Sequence, residues 1–269
     1  MIKRGIILIF MVLSLVLVFA GCLSIHFGNG QMVVGNGEME SKTVTVEKEV
    51  TGLFNMGSID VVIDPELDGE AVIEAESNII EFVELEQDAS GALTVSFEDG
   101  ISVSLSRGVT VHIPAVNGGD IQVDGSGSIS LDGDSVLKGD AFHISVEGSG
   151  DISLKMETAN LEASVDGSGD LDLVAVSEQM KADISGSGRI LMTGYADYAE
   201  ISINGSGDFD GFECAMTNAD ISGMGSGNIN VNVSGSLTGR ISGSGDVVYD
   251  GNPTSVNITA SGSGDALKR

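Results

Sequence analysis

Tryptophan is absent and aromatic residues make up only 4% of the chain. Any core must therefore be assembled from Val, Ile, Leu and Ala, with few large anchors. Cysteine is nearly absent too. Cys22 and Cys214 are the only two. If Cys22 is modified, Cys214 has no partner, so no internal disulfide staples the fold and Cys214 serves as a small apolar residue. Histidine is limited to His26, His112 and His143, and none follows residue 143. A Ser–His–Asp arrangement thus has little to build on, and no nucleophile elbow supports one. Cations are scarce: 12 Lys and Arg stand against 40 Asp and Glu, for a formal net charge of -28. Such a surface repels nucleic acid and anionic lipid headgroups. It favours solubility, cations or basic partners. A saline habitat accounts for it equally well, because salt screens surface repulsion.

What the chain does hold is glycine, 38 residues of it against 3 prolines. Without a collagen-like period of three, that content points to many tight turns.

The first residues are set aside before the fold is considered. Lys3 and Arg4 precede an apolar run from Ile6 to Ala20, broken only by Ser14 and closed by Phe19-Ala20-Gly21-Cys22. Small residues ahead of a cysteine resemble a bacterial-type lipoprotein signal, in which Cys22 becomes the lipidated first residue. An ordinary signal peptide or an uncleaved anchor is the alternative, since the run could nearly span a bilayer. Either way the chain is exported. Loss of residues 1–21 removes Lys3 and Arg4 and takes the net charge from -28 to -30. Residues 22–42 follow as the lipidated Cys22 and a flexible tether, rich in small and polar residues and without a clear period. The membrane is then a partner through the N-terminal lipid.

From Thr43 the pattern alternates. Val44/Val46, Ile59/Val61/Ile63, Leu93/Val95/Phe97, Ile101/Val103/Leu105 and Val109/Val111/Ile113 each recur with period two, as half-buried strands do. Residues 43–119 read as N-terminal strands, and residues 120–269 as repeats. Gly-Ser-Gly occurs eight times, beginning at Gly125, Gly148, Gly167, Gly186, Gly205, Gly225, Gly243 and Gly262, mostly 19 residues apart. Alternating segments lie between, such as Ile152/Leu154/Met156 and Leu161/Ala163/Val165. Each unit predicts a strand, a turn, a second strand and a Gly-Ser-Gly corner. One unit cannot bury its own apolar face, so neighbours must stack. The fold class is all-β, a solenoid of ~19-residue coils. Coils about 4.8 Å apart would bring the eight corner serines into a hydroxyl ladder, and the seven steps between corners would make a rod of roughly 34 Å.

Asp151, Asp170, Asp208, Asp246 and Asp265 each directly follow a corner. The row is interrupted by Ser128, Arg189 and Asn228. These acids read as solvated turn residues, with weak cation sites as the alternative. No metal, catalytic residue or cofactor is assigned. Asn204, Asn232 and Asn257 begin glycosylation sequons that an exported chain could use.

These features together resemble the head-GIN domain family of auto-transporter adhesins over about residues 44–269. The likeness rests on Glu49-Val50-Thr51-Gly52-Leu53-Phe54 leading into Ile59-Asp60-Val61-Val62-Ile63, on the strands near Leu93 and Val109–Pro114, and on the serial corners ending in Ser261-Gly262-Ser263-Gly264-Asp265 before Lys268-Arg269. The resemblance implies a right-handed parallel β-helix, commonly exported and often lipid-anchored, with no established catalytic residues. The expected function is a non-catalytic surface rod for adhesion to cell-surface glycans or proteins, or for envelope scaffolding. A carbohydrate-active β-helix with a site breaking the repeat within residues 43–143 is the runner-up, and a cation-dependent surface module is the third reading.

Overall fold

The computed structural model describes the backbone of residues 24–27 and 30–269. Cys22 and the expected signal lie outside the described residues. The described chain is almost wholly strand and forms a β-solenoid of about eight turns, with coils about 19 residues apart. Among the described residues, no helix is long and apolar enough to cross a membrane.

The central coils are the strands Asp151–Gly167, Asp170–Gly186 and Arg189–Gly205, each pairing in parallel with the next at a constant offset. Each is one continuous strand rather than two strands and a turn. The bend is carried by a slip in phase. Ile152, Leu154, Met156 and Thr158 point inward, and the next inward residue is Leu161, not residue 160. Two inward-facing segments per coil thereby share one interior. Phe142 and Phe209 are its only fully buried aromatics among the largest side chains there, and the rest is aliphatic. That is the core the composition requires.

At the other end of each coil, the corners stack by backbone contact. The amide of each corner serine donates to the carbonyl of the first glycine one coil earlier, as in Ser168 to Gly148 at 2.8 Å, Ser187 to Gly167 at 2.8 Å and Ser206 to Gly186 at 2.8 Å. The expected hydroxyl ladder is therefore an amide ladder. All eight corner serines are exposed, and among the described residues none of their hydroxyls hydrogen-bonds to another. Gly186 shows why the flanking residues are fixed. Its φ is 126°, and a Cβ there would lie 2.3 Å from the Gly167 carbonyl oxygen, well inside van der Waals contact.

The N-terminal end is finished differently. Gly52–Gly57 and Asp60–Ile63 form the first regular coil, in parallel register with Gly119–Gly125 and Ser128–Leu131. Gly57-Ser58-Ile59-Asp60 occupies the corner row with Ile59 in place of the second glycine, so this corner lacks the Gly-Ser-Gly tripeptide. On its outer side lie Ala92–Phe97 and Thr110–Ile113, still parallel. Beyond them pairing turns antiparallel: Glu70–Glu76 on Thr110–Ile113, Met39–Thr45 on Glu70–Glu76, and Val83–Gln87 on Ala92–Phe97. These strands close the end of the stack. Gly30–Val34 and Met39–Thr45 fall within or across the stretch expected to be tether, so ordered pairing begins before residue 43. The alternation signal fails there because Met39–Thr45 lies at an exposed edge, with no buried face to impose period two.

A carboxylate locks this cap. Glu76 is fully buried and accepts hydrogen bonds from the Ser106 hydroxyl and from the backbone N–H groups of Gly37, Ser106 and Arg107. Asn78 continues the contact, accepting from the Asn36 amide at 3.0 Å and donating to the Val34 carbonyl at 2.8 Å. Burial works to raise the Glu76 pKa. The Ser106 hydroxyl and the three N–H donors outweigh it and hold the carboxyl below its ordinary 4.5.

Two outcomes follow from the corners and the cap. Gly186→Val should cost on the order of 2–4 kcal/mol through backbone strain and overpacking. Ser187→Ala should stay within about 0.5 kcal/mol. Equal small shifts in thermal melts would show that the corners are ordinary loops. For Glu76 the folded-state pKa is depressed, so its contribution is fully present above about pH 4.5 and fades as pH falls below that value. Glu76→Gln should lower Tm at pH 7 and flatten the fall in Tm between pH 5 and 3, measured against wild type. An unchanged acid slope would remove Glu76 from that role.

Candidate groove across the coil bend

The bend opposite the Gly-Ser-Gly corners brings three columns of residues together. Parallel register stacks Lys138, Glu157, Val176 and Tyr195 in the first. Gly139, Thr158, Ser177 and Ala196 make the second, inward column. The following residue of each coil, Asp140, Ala159, Glu178 and Asp197, stands at the tip of the bend. Between the outer columns runs a groove of about 620 Å³.

The groove departs from the repeat in two ways. Its floor is polar: Thr158 and Ser177 are two of the five buried polar residues among the described residues. The Thr158 hydroxyl donates to the Asn160 carbonyl at 3.1 Å. The Ser177 hydroxyl has no partner, although Ser177 is only 4% exposed. Its wall, conversely, is apolar where charge is the rule. Val174 and Val176 take outward positions that Lys155 and Glu157 hold one coil earlier, and Tyr195 follows. Val176 is 51% exposed and Tyr195 40%. The Tyr195 hydroxyl hydrogen-bonds to Asp197 and to the Thr217 hydroxyl at 3.0 Å, which sets the ring across the bend.

A second groove of about 350 Å³ lies beyond the bend, with Tyr198 and Gln179 on its near side. Its Glu162 and Lys181 are paired, while Glu200 meets no cation among the described residues. His143 Nδ1 is 3.2 Å from Asp120, His143 Nε2 is 3.9 Å from Glu162, and Lys181 bridges Glu162 at 2.8 Å and Asp183 at 2.7 Å. The Lys181 hydrogen bond holds the Glu162 carboxyl below its usual range, and Asp183 first, then Glu162, raises the Lys181 ammonium. Burial, with the charges of Asp220 and Glu200, raises the Tyr198 hydroxyl. In the first groove only Lys138 and Glu157 pair, at 2.8 Å, and among the described residues Asp140 and Glu178 face no cation.

Residues 51–253 match the family described as "Putative auto-transporter adhesin, head GIN domain". The chain belongs to this family. Solved structures that share the head-GIN solenoid include a "putative lipid binding protein" from Parabacteroides distasonis, with TM-score 0.78, 22% identity, and coverage of 88% of this chain and 99% of that one. A "putative adhesin" from Parabacteroides merdae superposes with TM-score 0.78 at 23% identity, covering 88% and 99% respectively. One from Bacteroides fragilis gives TM-score 0.64 at 18% identity, with coverage of 88% and 99%. At these identities the likeness is one of fold. No curated protein matches the chain.

The residues singled out in the sequence lie elsewhere on the head-GIN solenoid. The corner acids form a row along one edge, and the carboxylates of Asp151, Asp170, Asp208 and Asp246 bond the adjacent coil. Asp151 Oδ1 accepts the Asp170 amide at 3.1 Å, Asp208 Oδ1 accepts both the Asn228 amide at 2.8 Å and its side chain at 2.9 Å, and Asp246 Oδ1 accepts the Asp265 amide at 2.9 Å. Asp170 pairs with Arg189 at 2.8 Å. These are more than solvated turns: Arg189 and Asn228, which interrupt the acids, continue the inter-coil bonding. Among the described residues no three His, Cys, Asp or Glu side chains converge as a metal would need. Asn204 and Asn257 are exposed, whereas the Asn232 side chain donates to the Phe212 carbonyl at 3.2 Å. Cys214 is buried, and burial pushes its thiol up to about 12. The groove itself was not singled out. Its signal was present as Val174 and Val176 in outward phase and Thr158 and Ser177 in inward phase, legible only once coils are in register.

Replacing Asp151, Asp170, Asp208, Asp246 and Asp265 together with Asn keeps the accepting oxygens and removes five stacked charges. Tm should hold or rise. Asp208→Ala, which loses two bonds, should lower it. A calcium-dependent rise in wild-type Tm that the Asn variant lacks would reassign the row to cation binding.

Proposed function

We propose that this chain is an exported, non-catalytic surface module, held to a membrane by a lipid on Cys22, whose solenoid serves adhesion or envelope scaffolding. The observation that carries this reading is the use of the repeating polar residues. Asp151, Asp208 and Asp246 bond the backbone of the next coil, and in the second groove Lys181 bonds Glu162 and Asp183. Such groups hold a rigid scaffold instead of acting on a substrate. Membership of a family described by adhesion, and neighbours named as adhesins or a lipid binding protein, support display on the cell surface. The apolar run ahead of Cys22 supports the anchor. Asn204 and Asn257 stand where a glycan could be carried.

Cys22→Ser should move the protein from the membrane fraction to the soluble fraction or stall its maturation, because acyl burial contributes about 0.8 kcal/mol per methylene. Mass spectrometry of the mature N-terminus should show a lipidated Cys22; an unmodified Cys22 with cleavage elsewhere rejects the anchor. Purified protein should be retained on some envelope glycans or matrix proteins without changing them. Release of new reducing ends from any polysaccharide would overturn the non-catalytic reading.

A further inference from the structure

We propose that the groove between the Tyr195 column and the Glu178 column is a docking site for an extended, lysine- or arginine-bearing segment of a partner protein. The proposal deepens the adhesion reading by naming a site and a partner chemistry.

Three features of the groove converge on that chemistry. Asp140 and Glu178 are exposed carboxylates without a cation partner among the described residues. Tyr195 offers a ring face, braced by its hydroxyl bonds to Asp197 and Thr217. A cation over such a ring is attracted by its quadrupole. Val176 gives an apolar patch on which the stem of a long cationic side chain can lie.

Shape and field agree. The groove crosses four coils, or three spacings of about 4.8 Å, which fits roughly four residues of extended chain. The net charge of -28 disfavours an acidic or phosphorylated ligand. A neutral glycan could stack on Tyr195 but would leave the two free carboxylates unused.

The test is fluorescence anisotropy with the full chain in detergent and a labelled peptide, Lys-Val-Lys-Tyr-Lys-Val-Lys. A peptide with Glu for every Lys and a labelled chito-oligosaccharide serve as comparisons. The Lys peptide should bind, and the Glu peptide should not. Tyr195→Ala with Asp140→Asn and Glu178→Gln should weaken binding at least tenfold, with Tm unchanged because all three side chains are exposed. The five-Asn corner variant removes more charge and should change affinity less than twofold. Equal loss in both variants would reduce the effect to the overall field and overturn the site. Unchanged binding in the groove variant would overturn it too. Binding of the chito-oligosaccharide in place of the peptide would overturn the partner class while leaving adhesion standing. Turnover of that oligosaccharide would instead strike the non-catalytic reading.

Discussion

The fold depends on one repeated contact: the amide of a corner serine reaching the carbonyl of a glycine one coil below, with backbone against backbone. No side chain fits in that contact, and the first glycine must also take positive φ. Corner identity is therefore fixed far more tightly than anything between corners. The coil from Gly205 to Gly225 shows how much the interior can flex. It carries an extra residue, absorbed as a register shift near Leu191–Gly194 and again near Gly211–Ala215, and the following coil is shorter. Phe212 lies within that second shift and comes under the guanidinium of Arg269, 4.7 Å from the ring centroid. Corners remain stacked while the loop between them gains and loses residues.

This hierarchy sets what was legible in the sequence. The solenoid, its period and its aliphatic core follow from glycine spacing and period two. The corner at Gly57–Asp60 escaped because Ile59 breaks the tripeptide, yet its first glycine still accepts the amides of Ser126 and Gly127, at 2.9 and 2.8 Å. Glu76 could not be found by pattern. Its donors lie 30 and 39 residues away, and a lone glutamate on an alternating strand looks like any exposed acid. The corner acids were visible as a row, but their bonding to the next coil required the register. So did the groove, since Tyr195, Val176 and Glu157 are neighbours only across coils.

Charge is handled unevenly over the surface. On the corner edge, Asp151, Asp208 and Asp246 each accept a hydrogen bond from the next coil and Asp170 meets Arg189, which offsets repulsion among them. Farther along the coil, Lys181 pairs with both Glu162 and Asp183. At the bend around Glu178, neither device operates. That bend also carries Ser177, whose buried hydroxyl has no partner among the described residues.

The cap has a mechanical consequence. A pull along the chain from residue 30 does not load the coils first. It meets the parallel pairing of Gly30–Val34 with Ile101–Ser104, then the Glu76 and Asn78 hydrogen bonds, then the seven-residue pairing of Met39–Thr45 with Glu70–Glu76. Tension is thus shared among contacts drawn from three distant parts of the chain before the first corner glycine feels it. The cap therefore stands between a pull from that side and the stacked corners.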